Sequence, residues 1–458
     1  MDSNQSILES ALDELNVAFL AKLLRPGEES YDNVRQIHNG MIDKRPELIA
    51  CCTGVSDVVD AINLGVDSGL EISVRGGGHN VAGRAVCDGG LMIDLSKMKG
   101  IYVDPQARTV RAQAGVTWAE FNRETQLHGL ATTGGAVSST GVAGLTLGGG
   151  LGWLMGKYGL TIDNLKSVEI VTAAGEILQA SETENSDLFW GLRGGGGNFG
   201  VATSFEFNLY EVGPTIIGGL VVYPFDQARE VLKFYRDFTA EMLEELTLFA
   251  GLIHAPDGSG TPMAAILACH CGPQSEAEAA VEPIKTFGNP AMVELGPMPY
   301  SMVNTMLDDG FPKGALNYWK SSFLSTLSDD AIDTMIEQFS SCPSGMTGMV
   351  VEHIHGAATI IKPEDTAFPH RESGYNLLIA SVWLEAAETD SNIAWTRETY
   401  NILEQFMATG TYVNYLGDDE AAGRVKSAYG DNYERLQKLK TRYDPENVFH
   451  LNQNIVPD

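Results

Sequence analysis

The sequence lacks any apolar segment long enough to cross a membrane. Its 458 residues contain no run of about 18 consecutive apolar side chains, the length that a spanning helix needs. The N-terminal stretch MDSNQSILESALDELNVAFL also lacks the basic segment followed by an apolar one that marks a secretory signal. We therefore predict a cytoplasmic protein that does not act at a membrane.

Basic side chains are few. Lysine and arginine together number 30, against 60 aspartates and glutamates, which leaves a net charge of -30. Nucleic acids and anionic lipids are bound by neutralising their phosphates with lysine and arginine. The charge balance therefore argues against nucleic acid and against a lipid surface as partners.

Cysteine is also scarce. The six cysteines form no CxxC pair and no dense framework, which is typical of reduced thiols in a cytosolic enzyme. Cys269 and Cys271 flank His270 in MAAILACHCG, whose alternation predicts a strand. Neighbouring side chains of a strand point to opposite faces, so these three would not converge on one ion. We predict no metal site.

The pattern of predicted elements divides the chain into two α+β domains and a C-terminal segment. Strand and helix patterns alternate in the first part, which begins with a β-α-β unit. The dipeptide Gly213-Pro214 marks a boundary, beyond which glycine becomes rarer and longer helices alternate with strands. We predict a first domain over 1–212 with a core of about 42–212, a second domain with an antiparallel sheet over 213–405, and a C-terminal segment over 406–458.

Two nucleotide-binding motifs are matched only in part. GGGGNFG has the spacing GxGxxG at Gly195, Gly197 and Gly200, but the strand pattern VATSFEFNLY follows where a dinucleotide fold needs a helix. LGWLMGKY contains Gly156 and Lys157 but lacks the first glycine and the hydroxyl residue of a Walker A loop. The sequence therefore argues against a Rossmann or P-loop domain.

Two other glycine-rich segments point to a large ligand. SVRGGGHNVAG, residues 73–83, places three glycines and His79 directly after a predicted strand. Consecutive backbone amides can bind an anion such as a diphosphate, although a tight structural turn would use the same glycines. A second glycine-rich segment, residues 132–164, is too long for an ordinary turn. Together they predict one elongated ligand with anionic and planar parts.

Five motifs, in their order, carry a resemblance to a known family. They are SVRGGGHNVAG, GLMIDLSKMKGIYVD, GGGLGWLMGKYGLTIDN, DLFWGLRGGGGNFGVAT and the tail YDPENVFHLNQNI. The chain resembles the FAD-linked oxidases of the berberine bridge enzyme-like group, in the vanillyl-alcohol oxidase/p-cresol methylhydroxylase (PCMH) fold family, and especially bacterial enzymes of the 6-hydroxy-D-nicotine oxidase type. The resemblance covers nearly the whole chain and is weakest over 213–405. It implies an α+β fold with a PCMH-type FAD-binding domain and a substrate domain built on an antiparallel sheet covered by helices.

The resemblance implies FAD as the cofactor, with its diphosphate on the glycine turn Gly76, Gly77 and Gly78. It also implies a covalent bond from His79 to the flavin 8α-methyl carbon, and a neutral imidazole nitrogen is nucleophilic enough for this. Many relatives carry a second bond from a cysteine before the central glycine run, but no cysteine lies between residues 87 and 269 here. We therefore predict a single histidyl link. The other expected cofactor-binding residues are Arg75, Asn80, Gly83, Ser139, Gly141, Gly144, Gly149, Gly152, Asp163, Asn164, Gly200, Val201, Gln453 and Asn454.

The catalytic candidates lie in the tail and in the second domain. Tyr412, Asn414 and Tyr415 match the tail motif whose tyrosine faces the flavin in relatives, and a structural role is the alternative for one of the two tyrosines. Along a strand Tyr412 and Asn414 would share one face while Tyr415 takes the other. Removal of hydride from an alcohol or amine is helped by a base that accepts the O–H or N–H proton. His355 in VVEHIHG and Glu385 in ASVWLEA are candidates for that base, with a solvated or core role as the alternative for each.

The implied activity is that of an FAD-dependent oxidase that takes hydride from a small alcohol, amine or N-heterocycle and is reoxidised by O2. A homodimer is the candidate assembly. The alternative activities are oxidative ring closure or aromatisation of a natural product, and carbohydrate oxidation. A flavin-binding protein without turnover is the non-enzymatic alternative, and a tethered flavin argues against it because storage requires release.

Overall fold

The computed structural model describes residues 22–255, 257–420 and 422–458. Three β-sheets and a short two-stranded pair organise this part of the chain. None of its helices is long and apolar enough to span a bilayer.

The N-terminal sheet is mixed and delivers the first glycine segment. Its strands are β1 (Lys22–Leu24), β2 (Leu48–Cys51), β3 (Ile72–Arg75) and β4 (Leu91–Asp94), in the order β1-β2-β4-β3, with helices α1 (Tyr31–Arg35) and α2 (Val55–Asp67). Strands β2 and β3 run parallel to β4, and β1 is antiparallel to β2. Since β3 ends at Arg75, residues 76–79 emerge at the carboxyl edge of the parallel strands.

The second sheet is antiparallel and shares its core with the first. Its strands are β5 (Ile101–Asp104), β6 (Thr109–Gln113), β8 (Leu165–Val171), β9 (Ile177–Ser181) and β10 (Val201–Asn208), in the order β5-β6-β10-β8-β9, and the pair beside it is β7 (Leu130–Ala131) with β11 (Tyr210–Glu211). The helices of this region are α3 (Trp118–Thr125), α4 (Val142–Leu147), α5 (Met155–Tyr158) and α6 (Ser186–Leu192). The glycine-rich segment 132–164 therefore contains two short α-helices and a 3-10 helix (Thr161–Asn164) in otherwise irregular chain.

The third sheet has seven antiparallel strands. They are β12 (Thr215–Pro224), β13 (Leu246–His254), β14 (Pro262–His270), β15 (Met292–Pro299), β16 (Leu316–Leu324), β17 (Gly348–Ile354) and β18 (Gly374–Trp383), in the order β15-β12-β14-β13-β17-β18-β16. The accompanying helices are α7 (Ala228–Thr239), α8 (Gln274–Thr286), α9 (Tyr300–Val303), α10 (Asp329–Phe339) and α11 (Thr389–Leu403). The predicted antiparallel sheet covered by helices is confirmed.

Alternation along these strands separates the helix-covered face from the opposite one. On β17, Met349 and Val351 pack into the core with α7 and α10, whereas Val350 and Glu352 point the other way, toward a cleft. On β18, Leu377 joins the helix side and Leu378 the cleft side. One face of this sheet is thus a wall of the cleft.

The C-terminal segment packs back onto the first two sheets. Its helices are α12 (Ala422–Tyr429) and α13 (Tyr433–Tyr443), and Tyr429, Leu436 and Phe449 belong to the same core cluster as the N-terminal strands. The strand expected through Tyr412–Tyr415 is wrong, because residues Val413–Tyr415 form a 3-10 turn. The turn removes the alternation of a strand, and the side chains of Tyr412, Asn414 and Tyr415 line the cleft together.

Candidate functional site

One large cleft lies where the glycine segments, the third sheet and the C-terminal segment meet. It holds about 1900 Å³, including the part open to solvent. The cavity itself measures about 310 Å³, which lies at the lower end of the roughly 300–1,000 Å³ that ligand pockets typically have. Residues of both glycine-rich segments line this cleft, as the prediction of one ligand between them requires.

The two glycine segments contact each other backbone to backbone. A Cβ added to Gly77 would overlap the Cα of Gly141, and a Cβ added to Gly141 would lie 2.5 Å from the nitrogen of Gly77. Both residues line the cleft. Their lack of a side chain therefore serves the contact between the segments.

Two further glycines leave space for a ligand. A Cβ added to Gly144 on α4, or to Gly197, would have no described atom within 4 Å, and both residues line the cleft. Such a Cβ would occupy the cleft itself. The absence of side chains at these positions keeps open a narrow space of the kind that a flat ring or a diphosphate needs.

His79 lies beside the glycine turn with one ring nitrogen free. Its Nε2 atom is buried and has no hydrogen-bond partner among the described residues. Burial, together with the neighbouring His38, lowers the pKa of His79 to about 3. The imidazole is therefore neutral at physiological pH and keeps the lone pair that a bond to carbon requires.

Glu352 on β17 is the buried acid of the cleft. Its side chain accepts hydrogen bonds from the Asn376 amide (2.6 Å, to Oε2) and the Tyr415 hydroxyl (3.1 Å, to Oε1). Burial raises the pKa of Glu352 to about 7, and the two hydrogen bonds oppose that rise. A carboxyl group that titrates near neutrality can accept a proton from a substrate and release it again.

The hydroxyl oxygen of Tyr412 accepts three hydrogen bonds, and the phenol is neutral. Its hydroxyl oxygen accepts from the backbone N–H groups of Gly150 (2.9 Å) and Leu151 (3.3 Å) and from the Asn414 amide (2.8 Å). The same Asn414 amide donates to the Leu145 carbonyl at 3.1 Å. Burial raises the pKa of Tyr412 to about 12, so this phenol is not an effective base at neutral pH.

Apart from Asn376 and Tyr415, the side chains on the cleft side around Glu352 are mainly apolar. Phe249 is its register partner on β13, and Val350 precedes it by two residues on the same face of β17. The Trp319 ring lies 5.8 Å, edge to face, from the Tyr415 ring. The side chains that form this wall of the cleft are Phe249, Leu307, Phe311, Trp319, Val350 and Leu378.

The structure brings most of the expected site residues together at the cleft. Those that line it are Gly76, Gly77, Gly78, His79, Asn80, Gly141, Gly144, Gly200, Val201, Tyr412, Asn414, Tyr415 and Gln453. Those that do not are Arg75, Gly83, Ser139, Gly149, Gly152, Asp163, Asn164, Asn454, His355 and Glu385.

Three of the expected site residues that do not line the cleft form hydrogen bonds or ion pairs within the fold. Asp163, which we expected among the cofactor-binding residues, forms a buried two-pronged ion pair with Arg371, at 2.7 and 2.8 Å. Asn164 donates to the carbonyls of Tyr158 and Leu160. Arg75 pairs with Asp94 at 2.8 Å.

Three of the remaining glycines serve local packing, and Ser139 lies in a neighbouring cavity. Gly149 has a φ of 127° and packs on Phe368, a Cβ on Gly152 would overlap the carbonyl of Gly134, and Gly83 packs on Ile42. Ser139 and Arg75 both line a smaller cavity behind residues 76–79, and Asn454 keeps a buried, unpartnered side-chain oxygen near the cleft but not in its wall.

Neither residue expected as the base lies in the cleft. The alternation of β17 sends His353 to the helix side of the sheet, and His355, just past the strand, stacks on it at 4.7 Å. Glu385 is exposed beyond the end of β18. The acid that reasoning from sequence missed is Glu352, and the alternation within VVEHIHG already placed it on the opposite face from His355.

The sequence matches the profile of the FAD binding domain over residues 46–181 and that of berberine and berberine-like proteins over residues 411–456. These two profiles cover the first glycine segment and the turn that carries Tyr412 and Tyr415. The chain belongs to the berberine-like family of FAD-linked oxidoreductases, as the resemblance predicted.

Individual relatives match nearly end to end. The chain is 30% identical to an FAD-linked oxidoreductase of Dictyostelium discoideum, with 100% of this chain and 99% of the relative covered. It is also 30% identical to (R)-6-hydroxynicotine oxidase of Paenarthrobacter nicotinovorans, with 95% and 97% covered.

Solved structures match in the same way. The crystal structure of 6-hydroxy-D-nicotine oxidase from Arthrobacter nicotinovorans superposes with a TM-score of 0.88 at 27% identity, over 96% of this chain and 99% of that one. A glucooligosaccharide oxidase from Acremonium strictum, described with a 6-S-cysteinyl, 8α-N1-histidyl FAD, superposes with a TM-score of 0.85 at 25% identity over 100% of both chains. The predicted two-domain α+β fold is confirmed.

Proposed function

We propose that this chain is an oxidase that holds FAD through a single bond from His79 and removes hydride from a small, mainly apolar amine, alcohol or N-heterocycle. The observation that carries the proposal is the Glu352–Tyr415 pair, which faces the cleft whose other wall is the glycine segments. An acid–base pair opposite a flavin-sized space is the arrangement that this chemistry needs.

The residues present fit FAD. The open space beside Gly144 and Gly197 suits its flat and anionic parts, and the buried Nε2 of His79 lacks a partner. FAD, when bound, supplies the acceptor for hydride and passes the electrons to O2. The glucooligosaccharide oxidase with a histidyl flavin supports assignment of a histidyl bond to His79.

Formation of the His79 bond can be written in balance. With FAD bound, the His79 imidazole would give up its N–H proton and gain a C–N bond to the 8α-methyl carbon, from which one hydrogen would leave. Two protons and two electrons are released in total, and O2 takes them up as H2O2. Val137 and Ser138 occupy the region where relatives carry a second tether, and no cysteine lies between residues 87 and 269, so one bond is expected.

The chain's own residues move the substrate proton. As hydride leaves the substrate carbon, the Tyr415 oxygen accepts the neighbouring O–H or N–H proton and passes its own proton to Glu352 Oε1 over 3.1 Å. Asn376 holds the other carboxylate oxygen and so fixes the rotamer of Glu352. Tyr412 and Asn414 position the backbone at Gly150 and Leu151 and transfer no proton.

The apolar wall selects against carbohydrate. A sugar carries several hydroxyl groups, and each one that is buried without a partner costs roughly 1–3 kcal/mol. Near Glu352 the wall offers Phe249, Val350 and Leu378, whose side chains form no hydrogen bonds. A substrate with one polar group that carries a proton is matched better.

Intact-protein mass spectrometry and an anaerobic titration test the proposal. We expect the purified protein to carry the added mass of FAD after denaturation, and His79→Ala to carry none. We also expect a hydrophobic cyclic amine or alcohol from a mixed panel to bleach the flavin absorbance without O2, whereas oligosaccharides leave it unchanged. The bare polypeptide mass would contradict the tether, and reduction by sugars alone would contradict the substrate class.

A further inference from the structure

The segment His38–Gly40 joins the glycine turn to the third sheet. The His38 N–H group donates to the Gly78 carbonyl (2.9 Å), and the His38 carbonyl accepts from Gly314 N–H (2.9 Å). The Asn39 amide donates to the carbonyls of Val81 (2.8 Å) and Asn317 (2.9 Å). The backbone at residue 38 is therefore fixed on both sides, relative to the loop that carries His79.

This anchored backbone places the His38 ring directly on the His79 ring. The ring centroids are 3.8 Å apart and the planes differ by 22°. Rings stacked in this way cannot form an N–H···N hydrogen bond with each other, since their nitrogen lone pairs lie in the ring planes. His38 therefore contacts His79 through its face and is not placed to take a proton from it.

The stack leaves the reactive edge of His79 free. The Nε2 atoms of both rings are buried without a partner among the described residues, and only 7% of His38 is exposed. Burial and the Lys313 ammonium group lower the pKa of His38 to about 4, so it is neutral and places no positive charge against its neighbour. No other described aromatic ring is recorded in a stack with His79.

We propose that His38 is a positioning residue for covalent attachment of the flavin: its flat face holds the His79 ring at the angle at which the ring nitrogen meets the 8α-methyl carbon. This inference rests on the tether proposed above. His38 exchanges no atom and no electron in the step, whose balance is that given for His79. A reacting atom displaced by about 1 Å can slow a reaction by roughly 100-fold, so a ring without its support attaches much more slowly.

Two substitutions of His38 distinguish support by a flat ring from simple filling of the space that the ring occupies. His38→Phe keeps a flat ring, whereas His38→Leu fills the site without one, and His254→Leu is the control. His254 is a partly buried histidine whose ring packs 4.9 Å from Phe339, outside the cleft. For each protein we would measure total FAD per chain and the fraction of flavin that stays attached after denaturation.

We expect all the proteins to bind FAD, with the attached fraction lowered roughly tenfold or more in His38→Leu and close to wild type in His38→Phe and His254→Leu. An equal attached fraction in His38→Leu and wild type would overturn the proposal, as would an equal loss in His38→Phe and His38→Leu. If wild type itself releases all its flavin on denaturation, the tether of the proposed function fails, so the two failures are told apart.

Discussion

Replacement of Glu352 by glutamine should lower the activity of the enzyme but raise its stability at high pH. The isosteric amide cannot accept the proton that Tyr415 passes on, so kcat/KM should fall by roughly 10²–10⁴-fold, the usual contribution of a general base. In wild type, the carboxyl is ionised and active only above its pKa of about 7. The wild-type pH profile should therefore rise through about pH 7, and the Glu352→Gln profile should lack that limb.

The stability effect follows from the same pKa. Burial disfavours the charged form, so ionised Glu352 destabilises the fold at pH values above about 7 and has no such effect below about 4.5, its ordinary value. The difference between these values corresponds to roughly 3 kcal/mol. Glutamine removes this penalty but keeps only one of the two hydrogen bonds, which costs about 1 kcal/mol.

Denaturant unfolding at two pH values, with the flavin content matched, measures the balance. At pH 9 the Glu352→Gln protein should be more stable than wild type by about 2 kcal/mol, and at pH 4, below the ordinary carboxyl pKa, less stable by about 1 kcal/mol. The sign of the difference should change between the two. An unchanged pH profile would refute the catalytic role, and a difference in stability that does not vary with pH would refute the buried, raised-pKa carboxyl.

Three other predictions use single contacts. Tyr415→Phe removes the relay oxygen as well as the hydroxyl that stabilises the Glu352 carboxylate, so kcat/KM should fall by roughly 10²–10⁴-fold and the rising limb of the residual pH profile should move to higher pH. A limb that stays in place with near wild-type activity contradicts the pairing. Gly144→Ala should fold with unchanged or higher Tm, because alanine favours a helix by about 1 kcal/mol, but it should bind less FAD. Gly77→Ala should instead lose about 1–3 kcal/mol of stability, because the added methyl group overlaps the backbone of the facing segment. Full FAD content in Gly144→Ala would argue against the ligand space. Asp163→Asn should cost about 3–5 kcal/mol of stability, measured by chemical denaturation, because it leaves Arg371 buried without its charged partner. Loss of FAD with stability unchanged would instead favour the cofactor-binding role expected from the sequence.

Much of this protein could be read from local patterns. The alternation of apolar residues beyond Gly213-Pro214 was sufficient to predict the antiparallel sheet, because a strand's side chains repeat every two residues whatever it packs against. The motif around His79 and the long glycine-rich segment indicated the flavin cleft. The lack of cysteine between residues 87 and 269 excludes a cysteinyl bond from this segment, and an absence of this kind can be read without coordinates.

The residue proposed as the base, the contacts of several expected site residues and the ring stacked on His79 were decided only by the tertiary structure. Glu352 meets Tyr415 across 63 residues because the register of β17 and a 3-10 turn bring them to one cleft, whereas a strand at the turn would have divided its side chains. Asp163 finds Arg371 across 208 residues and becomes part of a buried ion pair. Local sequence states which residue types are available, but the partner of a buried charge is set by long-range packing, because desolvation makes only the paired arrangement stable.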